Sequence, residues 1–276
     1  MATKYDLHSH SNASDGALNP TELVLRARRQ GVNVLALTDH DTTAGLAEAR
    51  FAAELSELRL INGIELSANY AQQCLHIIGL NIDPRHPLLI AGLDRQHRLR
   101  AERAEIIAEK LEKKRIPGAY AAVRRAAGDG EITRSHFADF LVANHYVATQ
   151  QEAFDRYLNR GQAAYAPTLW AELHEVVAWI TVAGGVAVLA HPMRYRLSLK
   201  WLQKALQAFK QMGGNGIEVV TGRATAEEIR ISCELAVKFQ LYASVGSDFH
   251  APVCEWVELG RLADLPARLT PVWEMF

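Results

Sequence analysis

Cysteine is scarce in this chain of 276 residues: Cys74, Cys233 and Cys254 are odd in number and show no CxxC spacing. That argues against a disulfide framework and for a reducing compartment, with the cytoplasm as the expectation. Long apolar runs are missing as well. No stretch reaches the roughly 18 apolar residues of a spanning helix, and the opening MATKYDLHSHS has no apolar h-region, so neither membrane insertion nor export is expected. An excess of one charge sign is also absent. The formal net charge of -1 supplies no whole-protein attraction for polyanions, so any preference for phosphate or nucleic acid has to be local. There is no internal repeat, no low-complexity tract, and nothing that implies a protein partner.

What the chain has is enough apolar material, 49% of residues, for one large α/β domain with room for an insertion. A short strand is expected at Tyr5 to His8. Asn19-Pro20-Thr21-Glu22 then places an N-cap, a proline at the first helical position and a glutamate three residues on, and Gly31 offers a stop. Val34 to Leu37 reads as a buried strand and Leu46 to about Leu58 as a helix. Strands follow at Leu60 to Leu66 and Leu75 to Leu80, a helix at Leu169 to Ala183, and strands at Val186 to Ala190, Ile217 to Val220 and Tyr242 to Val245. Such alternation predicts parallel strands covered by helices, closed into a barrel. Residues 94–160 break the rhythm with long charged helices and no strand. Their 13 basic and 10 acidic residues give +3, against -4 for the remainder. The expected organisation is therefore a barrel from 1–93 and 161–276 with an inserted helical cap, 94–160, that binds substrate.

The chemistry is expected where apolar runs end. His8 and His10 are two apart on a strand, so both imidazoles face one way. Asp15 lies on the following loop, His40 closes the second strand, and Glu65 follows Ile61-Asn62-Gly63-Ile64. His76 sits among Leu75, Ile77 and Ile78, His191 ends the run from Gly184, and Asp248 and His250 repeat the two-residue spacing after Tyr242 to Val245. Singly each has a plain reading as a turn residue, a cap or a core histidine. As nine nitrogen and oxygen donors at successive strand ends they describe a cluster of divalent metal ions.

The motifs DLHSHSNASDG, LTDHD, GIEL, LHIIG, AHPMRY and SDFH, in that order, resemble those of the polymerase and histidinol phosphatase (PHP) superfamily over nearly the whole chain. The resemblance implies a distorted (β/α)7 barrel with an inserted helical cap and two or three divalent ions. It groups His8, His10, Glu65 and Asp248 on one ion, Asp15, His40 and His250 on a second, and Glu65, His76 and His191 on a third. It favours Mn²⁺, while the donor types also suit Zn²⁺ or Fe²⁺. Within the cap, EITRSH from Glu131, FDRYLNRG from Phe154 and YAP from Tyr165 resemble the branch that dephosphorylates nucleoside 3',5'-bisphosphates and trims short RNA from its 5' end. Arg134, His136, Arg160 and Arg194 are then the expected phosphate binders.

The implied reaction is hydrolysis of the 3'-phosphate of a bisphosphate such as pAp by a metal-bridging hydroxide, with Asp15, His191 and Asp248 as catalytic residues. The donor of the leaving group's proton is open among a metal-bound water, His191 and Asp248. Three other readings stand beside it: 5'-3' exoribonuclease action on short 5'-phosphorylated RNA, histidinol phosphate phosphatase, and a regulatory module whose metals are structural. The partner expected in each enzymatic case is a small phosphorylated substrate or a short RNA.

Overall fold

The computed structural model describes residues 3–195, 197–252 and 257–276; Cys254 lies outside the described residues. Seven strands form one sheet in chain order: β1 (Tyr5–Asp6), β2 (Val34–Leu37), β3 (Arg59–Tyr70), β4 (Gln73–Leu80), β5 (Val186–Leu189), β6 (Gly216–Thr221) and β7 (Tyr242–Gly246). The ends of this sheet meet. Leu7 donates its N–H to the Val245 carbonyl at 3.0 Å, and Asp248 donates to the His8 carbonyl at 2.8 Å. The result is a nearly closed barrel, which leaves few unpaired strand edges.

The helices between and around the strands are α1 (Pro20–Arg29), α2 (Leu46–Leu55), α3 (Pro87–Lys113), α4 (Ala119–Ala127), α5 (Arg134–Ala143), α6 (Gln150–Ala153), α7 (Leu173–Val182), α8 (Leu199–Gln211) and α9 (Ala226–Phe239). α1 begins as its sequence predicts. Asn19 Oδ1 accepts from the Glu22 N–H at 2.8 Å, and Glu22 returns the bond to the Asn19 N–H at 3.0 Å. Gly31, at φ +77°, carries the chain out of the helix, a conformation that costs glycine little. Among the described residues, no helix is long and apolar enough to cross a membrane.

The expectation of parallel strands throughout is corrected at one place. β4 runs antiparallel to both β3 and β5, while the remaining pairs are parallel. The cause is local. Only Ala71 and Gln72 separate β3 from β4, both at positive φ, 47° and 62°, and a two-residue turn of that kind can join only antiparallel strands. The larger departures from the expected bounds are that β1 ends at Asp6 rather than His8, β3 runs on to Tyr70 rather than Leu66, β4 begins at Gln73 rather than Leu75, α2 ends at Leu55 rather than Leu58, and α7 starts at Leu173 rather than Leu169.

Alternation along the strands separates the inside of the barrel from the outside. Val34, Ala36, Ile78, Leu80, Val186 and Val188 pack together within it, beside a stacked Tyr5–Trp273 pair with ring centroids 4.0 Å apart. Their neighbours Leu35 and Leu37, or Ile77 and Leu189, pack on the covering helices. Interior positions higher up are polar: Glu65 on β3 and Glu218 on β6, both fully buried.

α3 belongs to two cores. Leu89 packs with the barrel, whereas Ala104, Ile107 and Leu111 join a separate apolar cluster with Phe137, Leu141 and Leu158 from the helices that follow. The barrel end of α3 comes so close that a Cβ on Gly92 would lie 2.5 Å from the Trp179 ring. One continuous helix thus carries the chain from barrel to cap. Buried polar groups tie it down: Arg100 Nε donates to Asp41 Oδ2 at 2.8 Å, and Gln96 donates to Asp41 Oδ1 at 3.1 Å.

Phe137 has no exposed surface, so Phe137→Ala should cost about 3–5 kcal/mol through lost burial and the cavity left behind. Urea denaturation checks this. A loss below about 1 kcal/mol would show that the cap cluster is loosely packed.

Candidate metal centre

The nine residues singled out in the sequence converge on one end of the barrel, although they come from widely spaced parts of the chain. Topology explains how. The parallel strands bring His8, His10, His40, His191, Asp248 and His250 to the site just beyond their carboxyl ends. β4 is reversed, so its beginning lies at the same end, and His76 near its start arrives there too. Glu65 lies inside the twelve-residue β3 rather than at its end, because the β3–β4 hairpin continues past the barrel mouth.

Glu65 occupies the middle. Its Oε1 is 3.4 Å from His8 Nε2, 3.1 Å from His76 Nδ1 and 3.1 Å from His191 Nε2. Its Oε2 is 2.9 Å from His40 Nδ1 and 3.4 Å from His10 Nε2. Five imidazoles thus crowd a single carboxylate. Asp248 Oδ1 lies 3.3 Å from the Nε2 atoms of both His8 and His10, and Asp15 Oδ1 lies 3.4 Å from His250 Nε2 and 3.9 Å from His40 Nε2. Ser135, at the start of α5, donates to the other oxygen of Asp15 at 3.1 Å.

Among the described residues, three sets of donor atoms lie close enough to share an ion: His10, Asp15, His40 and His250; His8, His10 and Glu65; His40, Glu65 and His76. His10 is common to the first two, with Nδ1 facing Asp15 and Nε2 facing Glu65 and Asp248. Several buried ring nitrogens and carboxylate oxygens lack a hydrogen bond, namely His10 Nδ1, Asp15 Oδ1, His40 Nδ1, Glu65 Oε2 and His191 Nδ1. A buried polar atom left unpaired is costly, and four of them, on His10, Asp15, His40 and Glu65, belong to residues of these donor sets and fit divalent cations. The donor chemistry agrees, being imidazole and carboxylate without thiolate.

Charge follows the same pattern. Burial opposes ionisation of Glu65, yet His40, His76 and His8 hold its carboxyl well below the usual range. Asp15, facing His250 and His40, and Asp248, facing His8 and Arg194, are likewise held ionised against their burial. Burial works against protonation of His76 too, but Glu65 raises it to about 10; Asp15 raises His250 to about 9. His10 goes the other way, to about 3, through burial and the nearby His250 and His40. The carboxylates thus call for positive charge at the centre, as protons or as metal ions, and the two compete.

Backbone conformation is unusual at this end. His191 and Asp248 both have positive φ, 26° and 54°, which is uncommon outside glycine and concentrates at functional sites.

Two buried partners behind the cluster were not foreseen from sequence. Glu218 Oε1 lies 2.9 Å from His8 Nδ1, and its Oε2 accepts the His191 N–H at 2.6 Å. Asp39 accepts from the Ser11 backbone at 2.7 Å and from the Ser11 and Ser14 hydroxyls at 2.6 and 2.7 Å, fixing the loop that bears Asp15. The only signal for Glu218 was a lone carboxylate in the apolar run Gly216 to Val220.

Above the cluster opens a cavity of about 730 Å³. Of the expected phosphate binders, Arg134, Arg160 and Arg194 line it. His136 is not among its lining residues; its Nδ1 accepts the Thr133 N–H at 3.1 Å and so caps α5. Arg194 is paired with Asp248. Arg100 and Arg103, not foreseen, also line the cavity. Arg103 Nε is buried without a hydrogen bond, and burial and the adjacent Arg134 guanidinium push Arg103 down from its ordinary value, a strain that an anion would relieve.

Comparison with known proteins agrees with this chemistry. The PHP domain profile matches residues 6–222. A 5'-3' exoribonuclease of Haemophilus influenzae is 48% identical over 276 residues, covering 100% of both chains. A 3',5'-nucleoside bisphosphate phosphatase of Chromobacterium violaceum is 41% identical over 269 residues, 97% of this chain and 94% of that one. A solved structure from Bifidobacterium adolescentis, named as a metal-dependent phosphoesterase, superposes with a TM-score of 0.83 at 31% identity, covering 99% of this chain and 94% of that one.

Glu218 must accept two hydrogen bonds with two oxygens, and a glutamine offers only one acceptor. Glu218→Gln should therefore misorient His8 and weaken divalent-cation affinity roughly 10- to 100-fold with the circular dichroism spectrum unchanged. Competition against a fluorescent chelator measures it, and an unchanged affinity would release Glu218 from this supporting role.

Proposed function

This chain belongs to the PHP domain family, and from that membership we propose that it is a metal-dependent hydrolase that removes the 3'-phosphate of nucleoside 3',5'-bisphosphates. The observation that carries the reading is the cavity itself: a nest of imidazoles and carboxylates at its floor and arginines around its walls. His8, His10, Asp15, His40, Glu65, His76, His191, Asp248 and His250 would hold two or three divalent cations, with Mn²⁺ the proposed occupant and Zn²⁺ or Fe²⁺ suited by the same donors. Such cations, when bound, supply Lewis acidity toward phosphate oxygens and lower the pKa of water to near neutrality.

The protein's own groups do the rest. Glu65 belongs to two of the donor sets, and His10 and His40 link these to the set that contains Asp15 and His250. Arg134 and Arg160 on the cap, with Arg103, neutralise the phosphate that does not react, which anchors the nucleotide and orients the other phosphate over the floor. His136 holds the first turn of α5, from which Arg134 projects. Asp15, His191 and Asp248 line the same cavity and are the groups placed to handle protons as water adds to phosphorus, the P–O3' bond breaks and O3' takes up a proton. Residues 94–160 act as the cap that supplies substrate contacts. The free thiols of Cys74 and Cys233 suit a cytoplasmic setting.

A second reading follows from the relative named as a 5'-3' exoribonuclease. In a bisphosphate the attacked phosphorus carries three unesterified oxygens besides O3', and in RNA one of those is O5' of the next nucleoside. The bond broken, P–O3' of the first nucleotide, is the same in both. One site therefore serves both substrates.

Adenosine 3',5'-bisphosphate should yield adenosine 5'-monophosphate and phosphate, with activity lost on dialysis against a strong chelator and regained with Mn²⁺. Phosphate release indifferent to the chelator would overturn the proposal. Arg134→Ala should raise KM for the bisphosphate at least about tenfold, the loss of one charge-assisted contact, while KM for an aryl phosphate barely changes. Equal effects on both would remove Arg134 from the clamp.

A further inference from the structure

The cavity over the ligand cluster continues into a second one of about 540 Å³. Arg134, Arg160 and Arg194, together with Phe154 and Tyr165, line both. Beyond this shared arginine rim the character of the wall changes. The outer cavity adds Gln73, Gln151, Asn159, Tyr195 and Leu197, a surface of amides and rings with no further formal charge among these residues. Gln73 opens β4 just past the hairpin turn, and among the described residues no hydrogen bond restrains its side chain or that of Gln72. Gln151 and Asn159 stand on the cap side, pre-oriented by a common partner, since both donate to Asp155 Oδ1, at 3.0 and 3.4 Å.

Each part of this surface has a matching part in a nucleotide chain. Guanidinium groups suit the phosphodiester. Primary amides offer both donors and acceptors for base edges, and aromatic rings stack on bases of any sequence; the rings here are the half-buried Tyr165 and Phe154, the latter with the Arg134 guanidinium 5.6 Å from its centroid. A cavity of about 730 Å³ is of the size that encloses one small ligand, so a substrate longer than one nucleotide needs somewhere to continue.

We propose that the outer groove is a subsite for the nucleotide on the 3' side of the scissile bond, formed by Gln73, Gln151 and Asn159 against Phe154 and Tyr165. This rests on the reading of the site as one that breaks P–O3' bonds. The inner cavity holds the first nucleotide with its 5'-phosphate on Arg134 and Arg160, the connecting phosphate lies over the ligand cluster beside Arg194, which pairs with Asp248 and lines both cavities, and the outer groove receives the base and ribose that follow. Preference for an oligonucleotide over a bisphosphate is then set in the groove rather than at the metal cluster. Because the amides contact bases without a fixed donor pattern, the groove binds chain rather than sequence.

The test compares two substrates on the metal-loaded enzyme: adenosine 3',5'-bisphosphate and the 5'-phosphorylated dinucleotide pApA. Gln73→Ala combined with Gln151→Ala should lower kcat/KM for pApA about tenfold, the loss of one or two amide contacts, and leave the bisphosphate within about twofold. Gln151→Glu, which sets a carboxylate against the incoming polyanion, should reproduce the selective loss and make it smaller at high salt. The bisphosphate rate also reports that each variant is folded. Equal losses on both substrates would assign the groove to the first nucleotide, and no loss on either would leave it without a role; both overturn the subsite. If the unaltered enzyme cleaves neither substrate, the functional reading beneath it fails instead.

Discussion

The structure depends on one buried carboxylate. Glu65 is fully enclosed, yet its two oxygens lie within 3.4 Å of five imidazoles. A carboxylate has about four lone-pair positions, yet Oε1 bonds only His76 and His191 while the buried Oε2 has no hydrogen bond, and an isolated buried charge would be expensive. Both problems disappear when the oxygens and nitrogens point instead at cations placed among them. The barrel, the hairpin and the cap can each be read as what holds those groups in place. Burial makes the arrangement strong as well as costly, because charges interact more strongly away from water.

The fold serves this centre in three ways. A ring of strands collects side chains from remote parts of the chain at one end. The reversal of β4 lets His76 enter from a strand whose carboxyl end points elsewhere. Then the pair formed by Arg100 and Asp41 ties cap helix α3 to the residue directly after His40. The cap is therefore anchored beside the cluster, and the arginines it carries reach the same cavity that the ligand residues floor. Burying an ion pair of this kind is weak evidence for stability; its evident contribution is to set where the cap sits.

Much of this was legible in the sequence, and the reasons are physical. The nine donor residues stand out because polar groups at the ends of apolar strands have few structural uses, and their joint register exposed the site. The boundaries of β2 and the capping box of α1 were readable because both are local signals. What was not legible is what depends on distant partners. Glu218 looks like any acid in a strand until His8 and the His191 backbone are seen against its two oxygens. Arg100 was one of many arginines on a charged helix. His136 has the residue type and neighbours of a phosphate binder, although its imidazole caps α5. The antiparallel hairpin was missed because Ala71-Gln72 lacks the glycine or asparagine that usually marks such a turn, and the long strands on either side carried no periodicity that distinguishes direction.

Anomalous X-ray diffraction at the manganese edge, on crystals of active enzyme, tests the central claim most directly. Two or three peaks should appear roughly 3.5–4 Å apart at the barrel mouth, with Glu65 bonded to at least two of them. Peaks located elsewhere, or an active crystal with no scatterer beside Glu65, would contradict it.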